Sequence, residues 1–159
     1  MDTMIYTHIA TPIGQLLAAR NEQGLTAIHF EKHGAPAAPK EEWTRDDGAF
    51  DDVREELRAY FARELQTFTV PLAPRGTPFQ LDVWSALRTI RYGETRSYQQ
   101  LARMIGREKA VRAVGAANGA NPLPIIIPCH RVIGSNGSLT GFGGGVSVKR
   151  FLLDLELYV

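Results

Sequence analysis

The apolar pattern of this chain changes period partway along, and that change constrains its fold more than any other feature. Residues 3–9 (TMIYTHI), 14–20 (GQLLAAR) and 24–31 (GLTAIHFE) are short strand-like runs. Turn chemistry separates them at Pro12-Ile13-Gly14 and Asn21-Glu22-Gln23-Gly24. They predict an antiparallel meander of three strands. Residues 33–48 are a polar loop rich in Pro, Ala and charge. From Phe50 the period becomes helical: Phe50, Val53, Leu57, Tyr60, Phe61 and Leu65 share one face, with acids early and arginines late. A strand near Phe68–Leu72 and a linker, APRG, close a first lobe spanning residues 1–74.

The second lobe, residues 75–159, reads as mostly helical. Thr77-Pro78-Phe79-Gln80 has the form of a capping box with proline in the first turn. Phe79, Val83, Trp84, Leu87 and Ile90 make the apolar stripe of the helix it opens, which RYGE at 91–94 ends. Ser97 caps a short helix, YQQLARMIG, closed by Gly106. Residues 108–119, EKAVRAVGAANG, form the next. Two short helices joined by a glycine turn have the helix-turn-helix pattern. The second of them is nearly without bulk: Ala110, Ala113, Gly115, Ala116, Ala117 and Gly119 leave Arg112 as its one long side chain in that row. Such a helix suits close approach to a narrow minor groove, and equally suits tight helix packing.

Composition narrows the class. The chain has 159 residues, 44% of them hydrophobic, enough for a packed core. The N-terminus has neither the basic nor the apolar region of a signal peptide, and no apolar run approaches a membrane span. Cytoplasmic residence is expected, because a single cysteine makes no internal disulfide. It also excludes a zinc site built on several cysteines, and no metal or cofactor is expected. The net charge of +1 divides into −5 over residues 1–74 and +6 over residues 75–159, so the second lobe suits a polyanion.

That one thiol, Cys129, lies in PIIIPCHRVIG, pinned by Pro128 and followed by His130 and Arg131. A lone cysteine is usually a small buried residue. Here the neighbours supply positive charge or a proton acceptor, and a glycine-rich loop, Gly141-Phe142-Gly143-Gly144-Gly145, follows.

The segment NPLPIIIPCHRVIGSNGSLTGFGGG closely resembles the active-site segment of the O6-alkylguanine-DNA alkyltransferases, the bacterial methylated-DNA–protein-cysteine methyltransferases. SYQQLA, RAVGAANGANP, KRFLLDLE and the early TPIG resemble the same family in the same order. The resemblance implies an α+β chain: a ribonuclease H-like N-terminal lobe and a helical lobe with a winged-helix type of helix-turn-helix. It implies direct-reversal DNA repair, in which an alkylated guanine is flipped from the duplex and its O6-alkyl group passes irreversibly to the cysteine. O4-alkylthymine is an open second substrate. The partner implied is double-stranded DNA, held through the minor groove by a monomer acting alone or cooperatively.

By the same resemblance Cys129 is the alkyl acceptor, His130 deprotonates it through a water, and Glu156 orients His130. With these in place the thiol is expected to ionise below the free value of about 8.5. Tyr98 crowds the target phosphate and donates to guanine N3. Arg112 fills the space of the flipped base, with Ser97, Ala113 and Ala116 also on the DNA side. Asn121 ties the helix-turn-helix to the active-site strand, taken to be PIIIP. Val132, Phe142 and Gly143 border the base, with Phe142 where many relatives have tyrosine and Gly143 where some have serine or alanine. A DNA-binding module without catalysis is the alternative, and the retained cysteine argues against it.

Overall fold

The computed structural model describes residues 3–139 and 142–157. The chain divides into two compact units, Met1–Arg75 and Gly76–Val159.

In the first unit the meander forms as the turn chemistry predicts. Strands β1 (Ile5–Thr11), β2 (Gly14–Asn21) and β3 (Gly24–His29) pair antiparallel, from Ile5 opposite Arg20 to Thr11 opposite Gly14 and from Leu17 opposite His29 to Asn21 opposite Gly24. The β2–β3 ladder carries a register shift at Ala19/Arg20 of β2.

 The shift takes up one extra residue in the ladder and bends the strand locally. The loop that follows adds a two-residue strand, β4 (Thr44–Arg45), parallel to β1, so the sheet order is β3-β2-β1-β4. Leu16, Leu17, Ala18 and Ala19 of β2 are all buried, which marks β2 as the strand covered on both faces.

Helix α1 (Asp51–Phe61) presents Val53, Leu57 and Tyr60 to this core, with Phe50 buried just before it. It stops four residues short of Leu65. The chain turns left-handed at Arg63 (φ 63°), and the Glu64 and Leu65 amides close back onto the Ala59 carbonyl. The strand expected near residues 68–72 is reduced to a single parallel bridge, Leu25 to Leu72. The reason is a side chain: the Glu56 carboxylate takes the Thr69 and Val70 amides (2.9 and 3.0 Å), the donors a ladder would have used.

In the second unit α2 (Pro78–Leu87) opens on the capping box, Thr77 accepting from the Gln80 amide and Gln80 from the Thr77 amide. It ends at Leu87, before RYGE, and Ile90 lies in the turn beyond it. Strand β5 (Arg96–Ser97) leads into α3 (Tyr98–Met104), capped by Ser97 as expected, with Gly106 left-handed after it (φ 71°). Helix α4 (Val111–Gly119) begins three residues later than the sequence suggests, because 107–110 close a turn first, Ala110 N–H donating to Arg107. The pair packs as a helix-turn-helix, and α4 also packs against α2.

The PIIIP run is not a strand. Residues 124–127 form a compact turn: Ile127 N–H donates to the Leu123 carbonyl, and Ile125 takes a left-handed φ of 76°. That conformation costs a β-branched residue on the order of 1–3 kcal/mol. Prolines at 122, 124 and 128 remove the donors a ladder needs. Beyond the turn come a 3-10 turn (Cys129–Arg131), strand β6 (Val132–Ile133), paired parallel with β5, and α5 (Val146–Leu157).

Gly24 gives the first unit a sharp test. Its φ is +150°, and a Cβ there would lie 2.6 Å from the Pro71 carbonyl oxygen, the acceptor of the Leu25 amide. Gly24→Ala is expected to lower stability by about 2 kcal/mol or more, read as a lower midpoint in urea unfolding. An unchanged midpoint would show that the 71–73 segment yields without cost.

Candidate active site

The site is assembled from one turn and one helix. Pro128 precedes the 3-10 turn that carries Cys129, His130 and Arg131 in succession, all buried. Helix α5 buries a stripe of Lys149, Leu152, Leu153 and Glu156, the i, i+3, i+4, i+7 positions of one face. The two leucines dock the helix, and the two charged residues are carried in with them.

Glu156 is the junction. Its carboxylate receives Arg131 Nε at 2.7 Å and a second guanidinium nitrogen at 3.1 Å, a two-pronged contact. Its Oε2 also lies 2.6 Å from His130 Nε2. The remaining reach of Arg131 ends on the Ile90 carbonyl at 2.7 Å, and its guanidinium stands 5.8 Å from the Tyr92 ring centre. Desolvation pushes the Glu156 carboxyl up, but His130 and Arg131 together overcome it and hold it at about 2. Burial holds His130 neutral, with the Arg131 and Lys149 charges working in the same direction. An ionised carboxylate can only accept, so His130 Nε2 carries the hydrogen and Nδ1 is the basic nitrogen.

The thiol departs from expectation. Cys129 is 5% exposed, and burial pushes it up to about 11, against the opposing effects of Asn121 and Lys149. The resting sulfur is therefore a thiol, not a poised thiolate. The local sequence shows positive neighbours but not the desolvation that outweighs them.

Asn121 spans the turn behind the cysteine. Its Nδ2 donates to the Ile127 carbonyl at 2.7 Å, and its Oδ1 accepts from the Leu123 amide at 3.0 Å. It thus links the end of α4 to the turn that replaces the expected strand. Val132 is fully buried, and its carbonyl accepts from Lys149 Nζ at 2.6 Å. Lys149 also lies 6.0 Å from the Tyr98 ring centre, and Tyr98 begins α3 beside Gly115 of α4.

Helix α4 has two distinct faces. Arg112, Ala113 and Ala116 are exposed, whereas Val114, Ala117 and Asn118 are buried. Trp84 Nε1 donates to the Ala117 carbonyl at 2.8 Å, and Asn118 Nδ2 approaches the Cys129 carbonyl at 3.5 Å. Ser97 is engaged in its cap. Phe142 is partly exposed and Gly143 exposed, and the preceding Thr140 and Gly141 lie outside the described residues.

Sequence reasoning missed Arg131 as the clamp on Glu156, and missed Lys149 and Asn118 altogether. For Lys149 a signal existed: it repeats with Leu152, Leu153 and Glu156 at helical spacing, which places it on the buried stripe. Among the described residues no cluster has the makings of a metal site, and no helix is long and apolar enough to cross a membrane.

The Glu156 pairing makes acid stability a readout. Its folded value, about 2, lies below the ordinary carboxylate value of 4.5, so the stabilisation is present above about pH 4.5 and is lost as pH falls toward 2. Glu156→Gln also strands Arg131, and is expected to cost on the order of 3 kcal/mol at pH 7. The gap from the parent protein should narrow between pH 4.5 and pH 2. Denaturant titrations at neutral and acid pH measure both, and a gap independent of pH would remove Glu156 from the ionised pair.

Comparison with known proteins finds relatives that match both units. The model of the 6-O-methylguanine DNA methyltransferase ribonuclease-like domain matches residues 4–74, and that of the DNA binding domain of the same family matches residues 78–158. The methylated-DNA–protein-cysteine methyltransferase of Methanosarcina acetivorans is 49% identical over 153 residues, covering 96% of this chain and 98% of that protein. Its counterpart in Mycobacterium tuberculosis is 53% identical over 152 residues, covering 95% and 91%. The crystal structure of Mycobacterium tuberculosis OGT in complex with DNA is similar with a TM-score of 0.90 at 51% identity, covering 96% of this chain and 92% of that one. Matched along both of its halves, the chain belongs to the 6-O-methylguanine DNA methyltransferase family.

Proposed function

We propose that this protein repairs O6-alkylguanine in double-stranded DNA by moving the alkyl group onto Cys129, once per molecule. The observation that carries the reading is the buried series Cys129–His130–Glu156–Arg131, in which a neutral thiol adjoins a neutral imidazole whose basic nitrogen is fixed by an ionised carboxylate. The names and the DNA-bound state of the relatives point the same way.

In the proposed reaction the thiol proton passes through a water to His130 Nδ1, and Glu156 stabilises the imidazolium formed. The sulfur then attacks the alkyl carbon as its bond to guanine O6 breaks. Tyr98 donates to guanine N3 as the base departs. Over the whole reaction the thiol hydrogen is exchanged for the alkyl group, and guanine gains a proton. The S–C bond formed is stable, so the protein is spent.

The exposed face of α4 supplies the approach to DNA. Arg112 stands there among Ala113 and Ala116, and the small neighbours allow the helix into the minor groove. Arg112 enters the stack where the flipped base was. The +6 balance of residues 75–159 favours phosphate contact. Val132, Phe142 and Gly143 border the flipped base. A monomer working on chromosomal duplex in the cytoplasm suffices for all of this.

Mass measurement tests the reaction. Mixing with O6-methylguanine DNA should add a single methyl group, mapped to Cys129, and then stop. Cys129→Ser should abolish transfer while leaving lesion binding largely intact, since an unactivated hydroxyl is a far poorer nucleophile. Sustained turnover, or methylation elsewhere, would falsify the single-use reaction. Binding without any transfer would leave a lesion-binding module.

Flipping is separable from chemistry, because a free alkylguanine base has nothing to be flipped from. Arg112→Ala is expected to lose about tenfold or more in rate on duplex DNA, where extrusion costs a few kcal/mol. It should react almost normally with free O6-benzylguanine. Equal losses on the two substrates would assign Arg112 to folding or to the pocket instead.

A further inference from the structure

Asn118 Oδ1 and His130 Nδ1 are the buried side-chain polar atoms that find no hydrogen-bond partner among the described residues. Asn118 is 2% exposed and His130 is 0% exposed. Both adjoin the same residue: Asn118 Nδ2 approaches the Cys129 carbonyl at 3.5 Å, and His130 follows Cys129 in the chain. Buried polar groups are paired in the great majority of cases. Two that are not, both next to the reacting residue, call for a common cause.

The atom types narrow it. A carbonyl only accepts, so the amide nitrogen of Asn118 faces Cys129 and its other atom is an acceptor. His130 Nδ1 is an acceptor as well, because Nε2 carries the hydrogen toward Glu156. Two acceptors cannot satisfy each other. The thiol has one hydrogen to give. A single water closes the count, with one hydrogen on each acceptor and its oxygen taking the S–H.

We propose that Asn118 Oδ1 is the second anchor of the water that carries the thiol proton to His130, which makes Asn118 a positioning residue for the transfer. This rests on the alkyl-transfer reading above. In the step, the S–H bond breaks and its hydrogen joins the water oxygen. The water's O–H bond toward His130 breaks, and that hydrogen joins Nδ1. The products are thiolate, imidazolium and an intact water whose other hydrogen never leaves Asn118. The anchor matters because a water held on one side only would rotate away from the line between sulfur and imidazole. Its own support is firm: the adjoining Ala117 carbonyl is held by Trp84 at 2.8 Å.

A crystal structure of the unalkylated full chain, at a resolution that orders water, tests the geometry. One water within about 3.2 Å of both Asn118 Oδ1 and His130 Nδ1 is expected, and either atom bonded to a protein group instead overturns the proposal. Rates test the role. Asn118→Leu, similar in volume and without polar atoms, should slow transfer from O6-methylguanine duplex about tenfold across neutral pH, with DNA affinity unchanged. Asn118→Asp keeps an acceptor. It should run close to the parent at acid pH, where its buried carboxyl is neutral, and fall away as that carboxyl ionises facing the thiol. A leucine variant with the parent rate, or leucine and aspartate variants slowed equally at every pH, overturns the proposal. If the parent protein itself never methylates Cys129, the functional reading fails first, and the two failures stay distinct.

Discussion

One carboxylate with two partners organises the second unit. His130 and Arg131 together keep Glu156 ionised, and an ionised Glu156 leaves His130 a single tautomer. Breaking the arginine contact would leave a buried negative charge whose cheapest relief is protonation, and the imidazole would lose the acceptor that orients it. The pairing also ties three stretches together, since Glu156 belongs to α5, His130 and Arg131 to the 3-10 turn, and the Ile90 carbonyl to the segment after α2. The chemistry of the site therefore depends on how Leu152 and Leu153 seat α5, which is a matter of ordinary packing.

What the sequence disclosed divides by range. The meander, the Thr77 capping box, the Ser97 cap and the glycine after α3 are local devices, set by residues a few positions apart. They were legible for that reason. The pairing of His130 with Glu156 was legible only through resemblance, because 26 residues separate the histidine from its acid and no local rule brings them together. The PIIIP turn was misread because its apolar run looks like a strand, while the features that prevent one are Asn121 and the prolines. The sign of the thiol's shift was misread because burial is a property of the fold and the charged neighbours are visible in the sequence.

Helix α4 joins two tasks within its nine residues. The exposed face carrying Arg112 and the buried face carrying Asn118 lie six positions apart, about 9 Å along the axis at the usual rise. The exposed Arg112, proposed to meet DNA, and a group that approaches the cysteine backbone are thus parts of one rigid body. The small side chains divide between the two faces: the Ala117 carbonyl accepts from Trp84 on the buried side, while Ala113 and Ala116 face outward.

The burial of Cys129 has a consequence beyond the reaction itself. Thiolates, not thiols, react readily with peroxides, disulfides and soft metals, and exposure sets how often they meet them. A sulfur that is 5% exposed and protonated at neutral pH is poorly placed for all of these. For a protein proposed to be consumed by its first substrate, the time it can wait unspent matters as much as the speed of the final step. In the proposed reaction, the desolvation that makes the thiol depend on a relay also slows the side reactions that would spend it unused.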